Sequence, residues 1–308
     1  MNRSLIFRWL RRTACAFLAL IAVLLFVVLP IGGSYLVTNS RFRFPERGPK
    51  RPEEVGLTFT TAEFRSQDGI DLRGWWSPGD DSKAVILFCH GLNRSRVEML
   101  QRAAEANHRG YGVMLFDVRN HGESGKAYTT LGIHETRDVC AAKDYVKRQA
   151  GARQQVLWGV SMGASTAILA ARQCPGFAAI ISDSSFLSLR ETIAHHVRLY
   201  FRLPAFPIAN LIVAITSWRM GFDPDEGDVE AAVGDIGRVP VLFIAGERDR
   251  RMPPALAERL LDAAQSPQKR LIVVPGAGHG EAFNSNRNDY LAAVFDFLDE
   301  VPAPNPGS

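Results

Sequence analysis

A chain of 308 residues, 46% hydrophobic and 22% charged, with 26 glycines and 17 prolines spread along it, excludes a disordered, collagen-like or repeat protein; it is long enough for one α/β domain with a large core. A formal net charge of +4 would suit a nucleic-acid binder only if the folded part carried it. It does not: residues 1–51 hold nine basic side chains against Glu46, so the remainder carries 27 basic against 31 acidic groups, a net of −4, and offers no footprint for a phosphate backbone.

The basic residues of the N-terminal part form two clusters around an apolar run. No charged residue lies between Arg12 and Arg41, and Ala14 to Leu29 is nearly continuous Ala, Leu, Ile, Val and Phe, extended by Ile31 to Val37. About 20 residues at ~1.5 Å rise each span a bilayer as a helix. Residues 1–40 therefore read as a short tail and a single transmembrane signal anchor. The run is longer than the ~7–15 residues of a cleavable signal, although Gly32-Gly33-Ser34 is the kind of small-residue site a cleaved signal would use. Cys15 precedes the apolar run, so no lipoprotein box is formed, and Arg11-Arg12 matches only a fragment of a twin-arginine signal. A tiny basic tail beside the first hydrophobic segment is expected to stay inside, which puts the domain on the extracytoplasmic side. Cys89, Cys140 and Cys174 are odd in number and lack C-x-x-C spacing, so neither a disulfide framework nor a zinc site is expected.

Residues 41–56, rich in Arg, Pro, Gly and Glu, read as a linker, and the domain is expected over 57–303. Strand-like stretches at Leu57–Arg65 and Ile70–Trp76 flank Asp68-Gly69, a hairpin signal. Ala84–Cys89 is a continuous apolar run, as in a central strand covered on both faces. Helices over Ser95–Arg109, Leu131–Gln149 and Met162–Gln173 then alternate with strands at Val113–Asp117, Gln155–Gly159 and Phe177–Ser182. The alternation resumes at Val239–Ala245, a helix over Pro254–Ala264, Arg270–Val274 and a closing helix over Asn286–Glu300. Such alternation predicts a mostly parallel sheet with helices on both faces. The interruption at about 185–237, with its aromatic and aliphatic residues, reads as a helical cap.

Gly159-Val160-Ser161-Met162-Gly163 fits G-x-S-x-G at the point where a buried strand must turn sharply into an Ala-rich helix, the setting that motif requires. The two glycines remove Cβ atoms around a strained serine, which then projects at the helix N-terminus. A serine hydroxyl needs a base in reach and a group that orients the base. Of seven histidines, His279 lies directly beyond a late strand; His108, His134, His195 and His196 fall in expected helices, the last two in the cap where they could touch substrate. Asp249 follows the strand ending at Ala245, with Asp183, Glu247 and Glu281 as rival acids. The order Ser161, Asp249, His279 is that of one known triad architecture.

With Phe88-Cys89-His90-Gly91, Asp117 to Ser124, the Ser161 elbow, the Asp249 turn and the His279 loop in that order, the chain resembles an α/β-hydrolase. Within that superfamily it resembles the membrane-anchored BEM46-like and ABHD13-like branch with a serine-aminopeptidase-like lid. Asn120-His121 departs from the D-x-R-G-x-G-x-S pattern usual in that family. The resemblance implies an oxyanion hole from the backbone N–H groups of Leu92 and Met162, and an acyl-enzyme mechanism on a carboxylic ester or thioester. An apolar cap together with a membrane tether points to a small-molecule or lipid-like acyl substrate, and such a triad requires neither metal nor organic cofactor. A peptidase of the serine aminopeptidase type and a non-catalytic membrane-anchored binding protein are the alternatives.

Overall fold

The computed structural model describes residues 3–39 and 48–302; Arg41, Arg43 and Arg47 of the second basic cluster lie outside them. Eight strands form one sheet in the order β1-β2-β4-β3-β5-β6-β7-β8. β1 (Thr60–Arg65) and β2 (Asp71–Ser77) are the hairpin, closed where Gly69 takes φ 86°. β2 also runs antiparallel to β4 (Gly112–Phe116). From β4 onward, through β3 (Val85–Cys89), β5 (Gln155–Val160), β6 (Ala179–Asp183), β7 (Val241–Gly246) and β8 (Lys269–Val274), every pairing is parallel.

The apolar runs behave as two-sided strands should. In β3, Val85, Leu87 and Cys89 face one core and Ile86 and Phe88 the other, the period-two alternation of a pleated strand. One face is covered by α4 (Thr136–Ala150), α5 (Met162–Gln173), α8 (Val229–Asp235) and α9 (Pro254–Ala263); the other by α3 (Leu100–His108) and α11 (Arg287–Asp299). The cap consists of α6 (Leu189–His196), a π-helical turn Val197–Phe201, α7 (Ile208–Met220) and a 3-10 turn Pro224–Gly227 leading into α8.

Several boundaries differ from the sequence reading, each for a local reason. Residues Pro52–Val55, inside the expected linker, form a 3-10 turn with Pro52 buried. The helix expected from Leu131 starts at Thr136, because the Glu135 carboxylate accepts from the backbone N–H of Thr130 and Gly132 and from the Thr130 hydroxyl, holding a tight turn with Leu131 and Gly132 at positive φ. The closing helix keeps its expected span to within a residue, as α11 capped by the Asn286 side chain, but a short additional helix, α10 (Ala282–Ser285), precedes it.

The cysteine expectation is overturned. Cys140 in α4 and Cys174, just past α5, form a disulfide. The residue left over is Cys89, buried in β3 with its thiol pushed up to about 12 by desolvation, and parity misled because a core thiol was counted with the pair. Closing 34 residues of chain is worth about 3–4 kcal/mol through the unfolded state. Thermal unfolding of Cys140→Ser/Cys174→Ser should therefore fall by roughly 10 °C; an unchanged midpoint would show that the bond contributes nothing.

The N-terminal segment is a continuous helical rod: α1 (Arg3–Val23), a π-helical turn Leu24–Val28 and α2 (Leu29–Thr38). Ile6–Thr38 is long and apolar enough to cross a membrane, and little of it is buried. Its last turns are the exception. Pro30, Ser34 and Thr38, four residues apart and so on one face, are buried against the domain.

Candidate active site

β5 delivers Ser161 to the sheet's carboxyl rim. Ser161 leaves the strand at φ 54°, ψ −120°, outside the ordinary basins for an L-residue, and α5 starts at the next position. The elbow is this tight because its glycines let backbones touch. A Cβ on Gly159 would lie 2.3 Å from the Gly163 carbonyl oxygen, and one on Gly163 would lie 2.1 Å from that of Cys89. The Ser161 N–H donates to the Asp183 carbonyl at 2.8 Å, tying the turn to β6.

Two loops at the same sheet edge bring the partners. Ser161 Oγ is 2.8 Å from His279 Nε2, and His279 Nδ1 is 2.7 Å from Asp249 Oδ2. The Asp249 carboxylate is buried, and its other oxygen accepts from the backbone N–H of Arg251 and of Met252, both at 2.8 Å. Carboxylate, imidazole and hydroxyl thus form one hydrogen-bonded row. The rival acids are committed elsewhere. Asp183 accepts from Tyr290 Oη at 3.1 Å and from Ser184 Oγ at 2.9 Å, in a buried network that also takes in Trp158 Nε1 on Tyr290; burial raises its pKa. Glu247 accepts from the Gly276 N–H and Glu281 from the Gly278 N–H.

Gly91 sits against Ser161, a Cβ built on it lying 3.6 Å from the Ser161 Cβ. The backbone N–H groups of Leu92 and Met162 make no backbone hydrogen bond outside the regular helices and strands among the described residues. The loop is fixed from beneath. His90 is fully buried; its Nδ1 lies 2.9 Å from the Gly91 carbonyl and its Nε2 accepts from the Val118 N–H, which defines the neutral Nδ1–H tautomer. Desolvation, then the neighbouring His121, pushes its pKa down to about 4. Asn120, at φ 64°, takes the left-handed position where the family pattern has glycine, and Asp117 accepts from both the backbone and the guanidinium of Arg96.

Two supports escaped sequence reasoning. Glu98 accepts from the Gly91 N–H at 2.6 Å, and Ser184 Oγ accepts from the Gly280 N–H at 3.3 Å, steadying the His279 loop. Neither belongs to a motif, so only tertiary proximity discloses them. Of the remaining histidines, His195 contacts the Arg250 carbonyl and His196 lines the cavity, its pKa pushed down to about 4 by burial and then by Arg251.

Ser161 opens into a cavity of about 580 Å³, walled by cap residues such as Phe186, Ile193, Val197 and Ile212 and by residues of α2. Three polar atoms among its lining residues are buried without a hydrogen-bond partner: Asn93 Oδ1, His196 Nε2 and Arg251 Nε. No Asp or Glu lines it among the described residues. No cluster of His, Cys, Asp and Glu able to hold a metal occurs among the described residues.

An elbow serine on a mostly parallel eight-stranded sheet, under a helical cap, defines an α/β-hydrolase architecture. Residues 80–221 match the family model described as serine aminopeptidase, S33, and residues 218–308 one described as TAP-like protein. YqkD of Bacillus subtilis is 30% identical over 76% of this chain and 77% of its own length. The bem46 protein of Schizosaccharomyces pombe is 23% identical over 83% and 82%. An esterase of Pyrococcus furiosus superposes with a TM-score of 0.71 at 24% identity, covering 86% of this chain and 99% of its own, a likeness of fold. The chain belongs to the α/β-hydrolases of the serine aminopeptidase (S33) type.

Proposed function

We propose that the protein is a membrane-anchored serine hydrolase that cleaves a carboxylic ester or thioester of an apolar, lipid-like acyl group. The observation that carries this reading is the unbroken row Ser161–His279–Asp249 at the floor of an apolar cavity. His279 Nε2 takes the Ser161 proton as Oγ attacks the acyl carbon, and the Leu92 and Met162 N–H groups receive the oxyanion. The protonated imidazole then protonates the departing alcohol or thiol. Water, deprotonated by His279, attacks the acyl-enzyme, frees the acid and returns the proton to Ser161.

The cavity also bears on the choice between ester and peptide. An aminopeptidase must hold its substrate's terminal ammonium, and a buried cation without an acidic partner is costly. Among the described residues the lining supplies the Arg251 cation and no carboxylate, which favours an acyl ester over a peptide with a free amino end. Activity should therefore appear on p-nitrophenyl esters, with kcat/KM at least about tenfold above that on aminoacyl p-nitroanilides. The reverse order would make it a peptidase, and no labelling of Ser161 by a fluorophosphonate would remove the catalytic reading.

The apolar helix supports a single-pass anchor. The Cys140–Cys174 bond, of a kind that persists in oxidising compartments, supports a domain outside the cytoplasm. Protease protection of the domain in right-side-out vesicles would contradict that side.

A further inference from the structure

The anchor helix does more than tether the domain. α2 is clamped to the cap and to the Thr129 loop. A Cβ on Gly33 would approach Ile212 Cδ1 to 2.8 Å, Arg219 Nη1 donates to Ser34 Oγ at 2.7 Å while its guanidinium lies 3.6 Å from the centre of the Tyr35 ring, and the Thr129 N–H donates to the Thr38 carbonyl at 3.1 Å. Val28, Leu29, Gly32, Leu36 and Val37 line the same cavity as Ser161. A residue pattern for tethering alone needs none of these contacts.

The depth of this contact follows from helix geometry. About 21 residues separate Arg12 from Gly33, a rise of about 30 Å, which matches the hydrocarbon thickness of a bilayer. With Arg12 at one boundary, Gly33 stands at the other, and Val28 and Leu29 lie within the acyl region of the far leaflet. Exposed aromatic side chains lie on the cap elements that pack on α2 and on their flanks. Trp218 and Phe206 are 84% and 77% exposed, Tyr35, Tyr128, Tyr200 and Phe201 are also exposed, and the Arg219 cation lies on Tyr35. Aromatic side chains with a polar tip, and arginines that reach toward headgroups, are characteristic of that depth. Exposed to water, the same cap aromatics would be an unfavourable apolar patch.

We propose that α2 is one wall of the acyl-binding cavity and that the cavity mouth, between α2 and the cap around Tyr200 and Phe201, opens sideways into the bilayer. The substrate is then a long-chain acyl amphiphile resident in the leaflet next to the domain. Its chain passes along Val28 and Leu29 while its ester comes up to Ser161, and its polar end meets Asn93, His196 and Arg251. This inference rests on the serine-hydrolase reading of Ser161.

The test uses the full chain in phosphatidylcholine vesicles. Leu29, half-buried, faces the cavity, whereas Ile31, in the same turn, is exposed and does not line it. Active sites are counted with a short-alkyl fluorophosphonate, so that a poorly folded variant does not distort the rates. Per labelled site, Leu29→Trp should lower the ratio of kcat/KM on p-nitrophenyl palmitate to that on p-nitrophenyl acetate by about tenfold or more, with Ile31→Trp leaving the ratio as in the wild type. Diluting the palmitate with ether-linked phosphatidylcholine, which has no ester to cleave, at constant bulk concentration and below saturation, should halve the rate when the mole fraction is halved. An unchanged ratio in Leu29→Trp, an equal fall in Ile31→Trp, or a rate that follows bulk concentration alone would each overturn the lateral mouth. Absence of fluorophosphonate labelling in the wild type would instead overturn the hydrolase reading beneath it.

Discussion

Replacing Ser161 by alanine is expected to abolish acyl-ester turnover while leaving the fold intact. The expected loss in kcat is roughly 10⁴–10⁶-fold, by the scale of nucleophile removal in other serine hydrolases, or up to about 8 kcal/mol of barrier at 1.36 kcal/mol per factor of ten. The fold survives because the Ser161 side chain contributes one hydrogen bond, to His279, while the elbow is held by backbone contacts among Gly159, Gly163 and Cys89. The backbone makes a second, independent forecast. At φ 54°, ψ −120°, any residue with a Cβ is strained, by about 1–3 kcal/mol. Alanine keeps that strain and glycine relieves it, so Ser161→Gly should be as inactive as Ser161→Ala yet melt higher. Ester hydrolysis and thermal unfolding measured on both variants check this. Residual activity in Ser161→Ala near the wild-type level would place the nucleophile elsewhere, and equal melting of the two variants would mean that the elbow stores no strain.

Most of the scaffold was readable because its signals are local. Val85 to Cys89 and Gln155 to Val160 are apolar without a break because each strand is covered on both faces. Gly159 and Gly163 stand where no side chain fits, and Asp249 and His279 could be proposed because each follows the carboxyl end of a late strand. What stayed hidden depends on contacts between distant segments. The start of α4 is set by the buried Glu135 carboxylate, a residue that by type belongs in water. Cys140 and Cys174 meet because α4 and α5 pack side by side, which spacing along the chain does not reveal. The role of α2 was hidden for a different reason. In Leu29 to Thr38 the small residues Gly32-Gly33-Ser34 read as a cleavage site, and the one-face spacing of Pro30, Ser34 and Thr38 becomes a contact signal only once the cap is there to receive it.

Asp249→Asn should be nearly as damaging as loss of the serine, with kcat down by roughly 10⁴-fold, the scale such a change has in other triads. The reason lies in the direction the new amide must face. Asp249 Oδ1 accepts two backbone N–H bonds, from Arg251 and Met252, and Oδ2 accepts from His279 Nδ1. An asparagine has one accepting oxygen and one donating NH2. Turning the NH2 toward the loop would set it against two N–H groups and leave both buried donors unsatisfied, at about 1–3 kcal/mol each. The oxygen therefore stays on the loop and the NH2 points at His279. Nδ1 must then accept, the ring proton moves to Nε2, and Nε2 donates to Ser161 Oγ instead of accepting from it. The base is in place but in the wrong tautomer. Two comparisons isolate this cause. Asp249→Ala should add a stability loss that Asn avoids, because both loop N–H groups lose their acceptor. Asp183→Asn should mainly lower the melting temperature, since Asp183 bonds Tyr290 and Ser184 and makes no hydrogen bond to His279. If Asp183→Asn gave the larger loss of kcat at full folding, the acid of the triad would be reassigned to β6.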